Sequence, residues 1–351
     1  MGNTIMIMAG GTGGHVYPAL AVAQNLQDKG WQVSWLGTQK GLESRVIPEQ
    51  GIEIDWLTIS GLRGKNRLAL LKAPFMLLLA CKQAKTALQK RQPDVVLGMG
   101  GFVAGPGGLL AKIMGIPLII HEQNRVPGTT NRLLSRIANV VLEAFPGSFK
   151  KTTNAVCTGN PLRKSFSIAI ANKRFHKNKP LHILVVGGSL GAHILNQIVP
   201  SAVASTKNLK IKHQTGNKDL QLVKADYAAN QTNAEVLPFI DDMAAAYQWA
   251  DLIICRAGAM TISEIAASGL PSILIPYPYA IDDHQTANAK YLADAGAGIL
   301  VPQQQLTAEL LAETITKVNN NLEQMSQAAR QCANLDATEK VAQICIQEAK
   351  Q

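Results

Sequence analysis

The chain has 351 residues, 47% hydrophobic and 17% charged, with a formal net charge of +10. That length suits about two domains, and the composition excludes a disordered chain while leaving ample material for buried cores. Five scattered cysteines without a C-x-x-C pair exclude a disulfide-stapled scaffold and point to a reduced cytosolic compartment, with the thiols as small core residues.

The apolar start lacks a basic n-region, so no secretory signal is expected. Met6 occupies the Ser/Thr position that a myristoylation signal needs after Gly2. The first predicted strand, Ile5–Ala9, runs into the glycine turn Gly10-Gly11-Thr12-Gly13-Gly14-His15. A helix is predicted over Pro18–Lys29, with Pro18 at its start and Gly30 just beyond its end. Further strands are predicted at Val33–Leu36, Val95–Leu97, Leu118–Ile120 and Val140–Leu142 in the first half, then Ile183–Val186, Leu252–Cys255 and Ser272–Ile275 in the second. Short apolar strands separated by helices predict parallel sheets buried on both faces. The fold class is therefore α/β, with two Rossmann-like doubly wound domains facing one cleft. The expected domains are 1–160 and 161–336; the terminal helix 337–351 could pack on either one.

Charge is unevenly distributed. Residues 1–160 carry 17 Lys/Arg against 8 Asp/Glu, whereas 161–351 carry 17 against 16. Residues 61–93 contain no acid at all and interleave basic residues with apolar runs. Lys72 and Pro74 interrupt the apolar stretch, which falls short of the ~20 residues of a spanning helix. Leu70, Phe75, Leu78 and Leu79 could instead enter a bilayer interface, with Lys72, Lys82 and Lys85 over anionic headgroups. The plain alternative is a core helix with a solvated basic face. Nucleic acid is not expected as a partner, because Phe75 is the only aromatic side chain available for stacking there.

A second glycine turn, Gly187-Gly188-Ser189-Leu190-Gly191, follows the strand Ile183–Val186. Neither turn completes G-x-G-x-x-G with a downstream acid, and neither carries Gly-Lys-Ser/Thr, so NAD and P-loop chemistry are not expected. Gly187-x-Ser189-x-Gly191 does match a nucleophile elbow, with Asp251 and His284 following in triad order. That serine-hydrolase alternative leaves the first turn unexplained. Other clusters follow predicted strands: Gly98–Gly108, His121-Glu122-Gln123-Asn124, Arg256–Glu264 and Asp282-Asp283-His284-Gln285. No zinc-ligand spacing occurs among them, so neither a metal nor another cofactor is expected.

On the stretches Ala9–Pro18, Gly98–Gly108, His121–Asn124, Gly159–Arg163, Gly187–Gln197, Phe239–Ala246 and Arg256–Pro271, the chain resembles the MurG family of peptidoglycan N-acetylglucosaminyltransferases from end to end. The resemblance implies a GT-B architecture whose last helix returns to the N-terminal domain. It also implies metal-independent, inverting transfer of GlcNAc from UDP-GlcNAc to the C4 hydroxyl of MurNAc in lipid I, giving lipid II. The implied location is the cytoplasmic face of the inner membrane, peripheral on an anionic surface, with cell-wall synthesis and division proteins as partners. Within transferases the alternative is a diacylglycerol glycosyltransferase.

By the same resemblance Ser189 faces the phosphates, the Ile240 backbone reads uracil, and Ala259, Met260, Thr261, Ile262, Ser263 and Glu264 hold diphosphate and ribose. Gln285 addresses the sugar, Asn124 and Arg163 complete the donor site, and Thr12, Gly13 and Gly14 lie near both substrates. Phe102 and His284 stand where other members have Tyr and Gln. For the general base, His15 is the first candidate, because it ends the glycine turn and imidazole ordinarily titrates at about pH 6.5. Glu122 is the second.

Overall fold

The computed structural model describes residues 3–59, 67–164, 166, 175, 179–188, 191–206 and 208–349, with only the backbone of 67–72. Ser189 and the side chains of Leu70 and Lys72 lie outside the described residues. The chain forms two compact units, residues 1–163 with 335–351 and residues 164–334.

The first unit carries a parallel sheet of β1 (Thr4–Met8), β2 (Gln32–Gly37), β3 (Glu53–Trp56), β4 (Val95–Gly98), β5 (Leu118–Glu122), β6 (Val140–Glu143) and β7 (Val156–Cys157). Their order is β3-β2-β1-β4-β5-β6-β7, with Ile7 opposite both Trp35 and Leu97. Five of its helices are α1 (Gly13–Asp28), α2 (Glu43–Val46), α3 (Arg67–Arg91), α4 (Ala104–Ile113) and α5 (Thr129–Leu134). The second unit repeats the plan with β8 (Leu181–Val186), β9 (Leu209–Gln214), β10 (Ala234–Leu237), β11 (Leu252–Cys255), β12 (Ser272–Leu274) and β13 (Gly298–Leu300), ordered β10-β9-β8-β11-β12-β13. Its helices include α6 (His193–Val203), α7 (Leu220–Ala229), α8 (Met243–Trp249), α9 (Ala259–Ser268), α10 (His284–Asp294), α11 (Ala308–Asn319) and α12 (Leu322–Gln331).

In each sheet the strand order reverses between the first and fourth strands. In open α/β sheets that reversal opens a crevice at the carboxyl edge. The glycine turns after β1, β4 and β8, and the turn after β11, stand at these two points. Apart from Thr4 and His182 their supporting strands are apolar, because helices cover both faces: Ile5, Ile7, Val95 and Leu97 are completely buried, as are Ile183, Val185, Leu252 and Ile254.

The helix predicted from Pro18 begins at Gly13 instead. Thr12 is extended at the N-cap, and its carbonyl accepts from the His15 and Val16 N–H groups at 3.1 and 3.2 Å. Pro18 sits inside the helix, where its missing N–H forfeits only the bond to the Gly14 carbonyl. Cys255 and Cys345 are buried core thiols as expected, but Cys157 is exposed, since its strand lies at the sheet edge.

The last helix, α13 (Ala337–Glu348), packs on α1 through Val341, Ala342 and Cys345. Glu339 accepts from Asn25 Nδ2 at 3.1 Å and pairs with Lys29 at 3.0 Å. Hydrogen bonds from Gln343, Lys29 and Asn25 hold its carboxyl down at about 2. The stabilisation from these contacts is present above the ordinary carboxylate range and is lost as pH falls toward that value. Glu339→Gln is therefore expected to lower the urea midpoint at neutral pH, with the difference from the parent closing in strong acid. Equal midpoints at neutral pH would contradict this docking role.

Candidate functional site

In the first unit, two glycine turns meet backbone to backbone. Gly101 has φ +80°, and a Cβ there would lie 2.6 Å from the Gly10 carbonyl oxygen. Only glycine tolerates both demands. A Cβ on Gly100 would fall 2.9 Å from the His15 ring, so the imidazole edge rests against the β4 turn. His15 is half-buried, Thr12 is exposed, and Gly13 and Gly14 are partly open. As the first residues of α1, Gly13 and Gly14 present N–H groups that have no intrahelical acceptor.

Beneath this turn lies Glu43, a residue for which the sequence offered no signal. Glu43 is completely buried. Its Oε2 accepts from Gly11 N–H at 2.9 Å, and its Oε1 accepts from Thr38 N–H and hydroxyl at 2.9 and 2.8 Å. Gly10 and Gly37 face it so closely that a Cβ would come within 2.6 and 2.9 Å of its side chain. A buried carboxylate needs such donors to remain acceptable in the interior. The effect is to clamp the first turn to the end of β2.

Glu122 has a different task from the one expected of it. It is 2% exposed. Oε1 accepts from Asn124 N–H and Nδ2 at 3.0 and 3.2 Å, and Oε2 accepts from Gly128 N–H and Asn131 Nδ2 at 3.0 and 2.9 Å. Those four bonds use the capacity of a carboxylate. Glu122 thus folds the 122–128 loop and has no lone pair left to take a substrate proton. The same bonds hold the Asn124 amide. His121 is likewise structural: burial drives it down to about 4, so it is neutral, and Nε2–H donates to the Gly159 carbonyl at 2.9 Å. Arg163 stacks over Tyr17, 5.3 Å from the ring centroid, beside a cavity of about 530 Å³ that Arg45 and Glu49 also line.

The second unit has a cavity of about 630 Å³, within the range of small-ligand sites. Gly187, Gly188 and Gly191 of the glycine turn wall it, together with Arg256, Thr261 and Gln285. Gly258 precedes α9 with extended backbone and no side-chain cap, so the first N–H groups of α9 are available at the wall. An uncapped helix amino end with its dipole is suited to a diphosphate. Gln285 Oε1 accepts from Ala257 and Tyr277 N–H at 3.2 and 2.9 Å, so the amide NH₂ is the part of this lining side chain that can donate. The Arg256 guanidinium is held by the carbonyls of Ile275 and Pro276 and by Gln303 Oε1. All three acceptors are neutral, so they orient the cation without cancelling its charge.

Ile240 and Glu264 do not line this cavity. The Ile240 N–H is already donated to Gln214 Oε1 at 2.9 Å, so only its carbonyl could read a base. Glu264 Oε2 accepts from Tyr247 at 3.3 Å, and Ser263 Oγ donates back to the Ala259 carbonyl at 3.1 Å. Met260 is partly exposed and Ala259 is buried but contributes its N–H to the helix end. Ile262 is completely buried and its N–H bonds Gly258. It anchors α9 in the core and cannot touch a ligand.

The hydrolase triad fails on topology. Asp251 precedes β11, at the amino end of the sheet, where its Oδ2 accepts from His182 N–H at 3.0 Å. His284 follows β12 at the opposite, carboxyl end, with Nδ1 against the Ile281 carbonyl at 2.7 Å. The two cannot form a dyad. Phe102, the other position singled out, is half exposed.

On α3, Phe75, Leu78 and Leu79 are 73%, 70% and 37% exposed, and Lys82 and Lys85 are exposed. Ala84, Ala87 and Leu88 on the same helix are buried. Neighbouring α4 and α5 expose Ile113 and Leu133 beside Lys112 and Arg132. Among the described residues, no helix is long and apolar enough to cross a membrane.

Residues 5–143 match the glycosyltransferase family 28 N-terminal domain, and residues 182–345 match the family 28 C-terminal domain. A Methylococcus capsulatus protein named UDP-N-acetylglucosamine–N-acetylmuramyl-(pentapeptide) pyrophosphoryl-undecaprenol N-acetylglucosamine transferase is 58% identical over 356 residues, covering 99% of both chains. The crystal structure of Acinetobacter baumannii MurG superposes with a TM-score of 0.85 at 45% identity, over 98% of this chain and 99% of that one. The calicheamicin glycosyltransferase CalG4, at 16% identity and a TM-score of 0.72 over 100% and 99% of the two chains, shares the fold alone. With both halves matched and full-length identity at this level, the chain belongs to glycosyltransferase family 28, in its MurG branch, and has the two-domain GT-B architecture.

Proposed function

We propose that this protein transfers GlcNAc from UDP-GlcNAc to the C4 hydroxyl of MurNAc in lipid I, yielding lipid II and UDP. One observation carries the proposal. In a chain matched end to end by enzymes named for this transfer, the second sheet's carboxyl edge opens into a cavity walled by a glycine turn and an uncapped helix amino end. Both features suit the diphosphate of a sugar nucleotide.

The reaction is a single displacement with inversion. The acceptor oxygen attacks the anomeric carbon, the bond to the β-phosphate oxygen breaks, and the acceptor proton passes to a base. Charge grows on the departing UDP, and the α9 N–H groups and the Arg256 guanidinium are placed to receive it. Ser189 and Thr261 contact the phosphates, Gln285 donates to a sugar hydroxyl, the Ile240 carbonyl accepts from the uracil N–H, and Glu264 holds the ribose hydroxyls. Thr12, Gly13 and Gly14 lie near both donor and acceptor, with Asn124 and Arg163 completing the donor contacts. His15 is the base.

An acceptor with a polyprenyl tail must be met at a membrane. The exposed apolar side chains of α3, set among lysines without a single acid, suit an anionic interface on the cytoplasmic face of the inner membrane. Lys82→Glu with Lys85→Glu is expected to weaken binding to anionic vesicles by about tenfold or more, and Phe75→Ser with Leu78→Ser to weaken binding to neutral vesicles too. Unchanged co-sedimentation of both variants would remove this role. The activity itself is tested by incubating UDP-GlcNAc with a lipid I analogue or with diacylglycerol, with and without EDTA. Transfer to the lipid I analogue alone, insensitive to EDTA, is the expected outcome; transfer to diacylglycerol alone would overturn it.

A further inference from the structure

One polar pair in the second unit's cavity has no part in the roles above. His193 opens α6, two residues after Gly191, and lines the cavity together with Arg256 and Thr261. Its Nδ1 lies 2.8 Å from Asp219 Oδ2, with the ring 63% exposed and the carboxylate side chain only 12%.

Asp219 is held from behind by a chain of groups that reaches into the core. Its Oδ2 also accepts from Asn196 Nδ2 at 2.9 Å, and the same nitrogen donates to the Thr215 carbonyl at 3.0 Å. Asn196 Oδ1 lies 3.1 Å from His213 Nε2, and His213 Nδ1 lies 3.0 Å from the Tyr227 hydroxyl. Burial keeps His213 neutral, down at about 3. Neutral His213 therefore donates from Nε2 to Asn196 and accepts from Tyr227 at Nδ1. That order orients the Asn196 amide, and Asn196 in turn orients Asp219. The bonds from His193 and Asn196 hold the Asp219 carboxyl below its ordinary range, so it is an anion. The His193 Nδ1–H must then face Asp219, which turns Nε2 away from the pair.

We infer that His193, aligned by Asp219, is a diphosphate-binding residue that donates its Nε2–H to the sugar nucleotide and to the departing UDP. This rests on the proposed donor role of the second unit. Protonated imidazole makes a charge-assisted hydrogen bond to phosphate, and imidazole is the side chain whose charge changes between about pH 5 and 8. Other charged or titratable groups at this position are Asp219 and Lys218, from the segment before α7, and Arg256 and Tyr277 in the cavity wall. A protonated His193 ring adds its charge to that of Arg256 against a bound diphosphate. Nucleotide binding should accordingly be tighter on the acid side of the imidazole titration.

The test compares UDP and uridine binding to the full chain by calorimetry at about pH 6 and about pH 8.5, on either side of that titration. His193→Ala is expected to weaken UDP about tenfold at the lower pH and much less at the higher, leaving uridine unchanged. Asp219→Asn should reduce the same pH dependence. Comparing variant with parent at each pH cancels the ionisation of UDP itself. UDP binding unaltered by His193→Ala at both pH values would overturn the inference. So would equal weakening of UDP and uridine, which would make the pair a tether between α6 and α7. If the parent chain binds neither ligand, the donor role of the second unit falls, and this one with it.

Discussion

His15→Ala is expected to lower kcat by about 10²–10⁴ while leaving the KM for UDP-GlcNAc nearly unchanged. The split follows from where the residue sits. His15 belongs to the first unit, in the opening turn of α1 and against Gly100, whereas the cavity assigned to the nucleotide is built wholly from the second. A base that takes the acceptor proton acts in the transition state, so its loss appears in kcat rather than in donor binding. The pH–rate profile separates this from a purely structural role. In the parent, kcat should fall on the acid side as the base protonates, and that limb should vanish in His15→Ala. Near-normal turnover, or a retained acid limb, would assign the proton to another group. With Glu122 saturated by four internal donors, no other acid or base among the expected site residues of the first unit remains to take it.

Glu43→Ala is expected to cost about 3–5 kcal/mol of stability, and Glu43→Gln about 1–3 kcal/mol. Alanine removes the acceptor of the half-buried Gly11 and Thr38 N–H bonds and leaves a void between Gly10 and Gly37. Glutamine keeps the volume but turns an NH₂ toward groups that are themselves donors. Urea denaturation measures both. The two variants should also lose kcat more than donor affinity, because the turn that loosens is the one carrying Thr12 to His15. If Glu43→Ala unfolds at the parent's midpoint, the clamp contributes nothing and this account of the first turn is wrong.

The strands at the heart of each sheet were legible because helices cover both faces, which demands unbroken apolar runs such as Ile-Met-Ile-Met and Ile-Leu-Val-Val. Those missed were β3, β7, β9, β10 and β13. In β9 the sequence Leu-Lys-Ile-Lys-His-Gln carries two lysines, yet Lys212 pairs with Glu235 on β10 at 3.2 Å and lies over Trp249. The partners that make such a strand acceptable come from elsewhere in the chain. β3 is short and polar, and it sits at the sheet edge. The early start of α1 was hidden because Pro18 reads locally as a first-turn residue.

The sequence by itself determined the α/β class, the two glycine turns at strand ends, the basic half and the motifs that carry the family resemblance. Each of these is written in neighbouring residues, as period, turn chemistry or charge run. Tertiary structure alone decided that Glu43, 32 residues along the chain from Gly11, clamps the first turn, that Glu122 folds a loop, and that Ile262 is core. It also decided that Asp219 meets His193 across 26 residues. Hydrogen bonds between side chains distant in sequence depend on which elements pack together, and burial decides whether a carboxylate is free to react or fully occupied in holding the backbone.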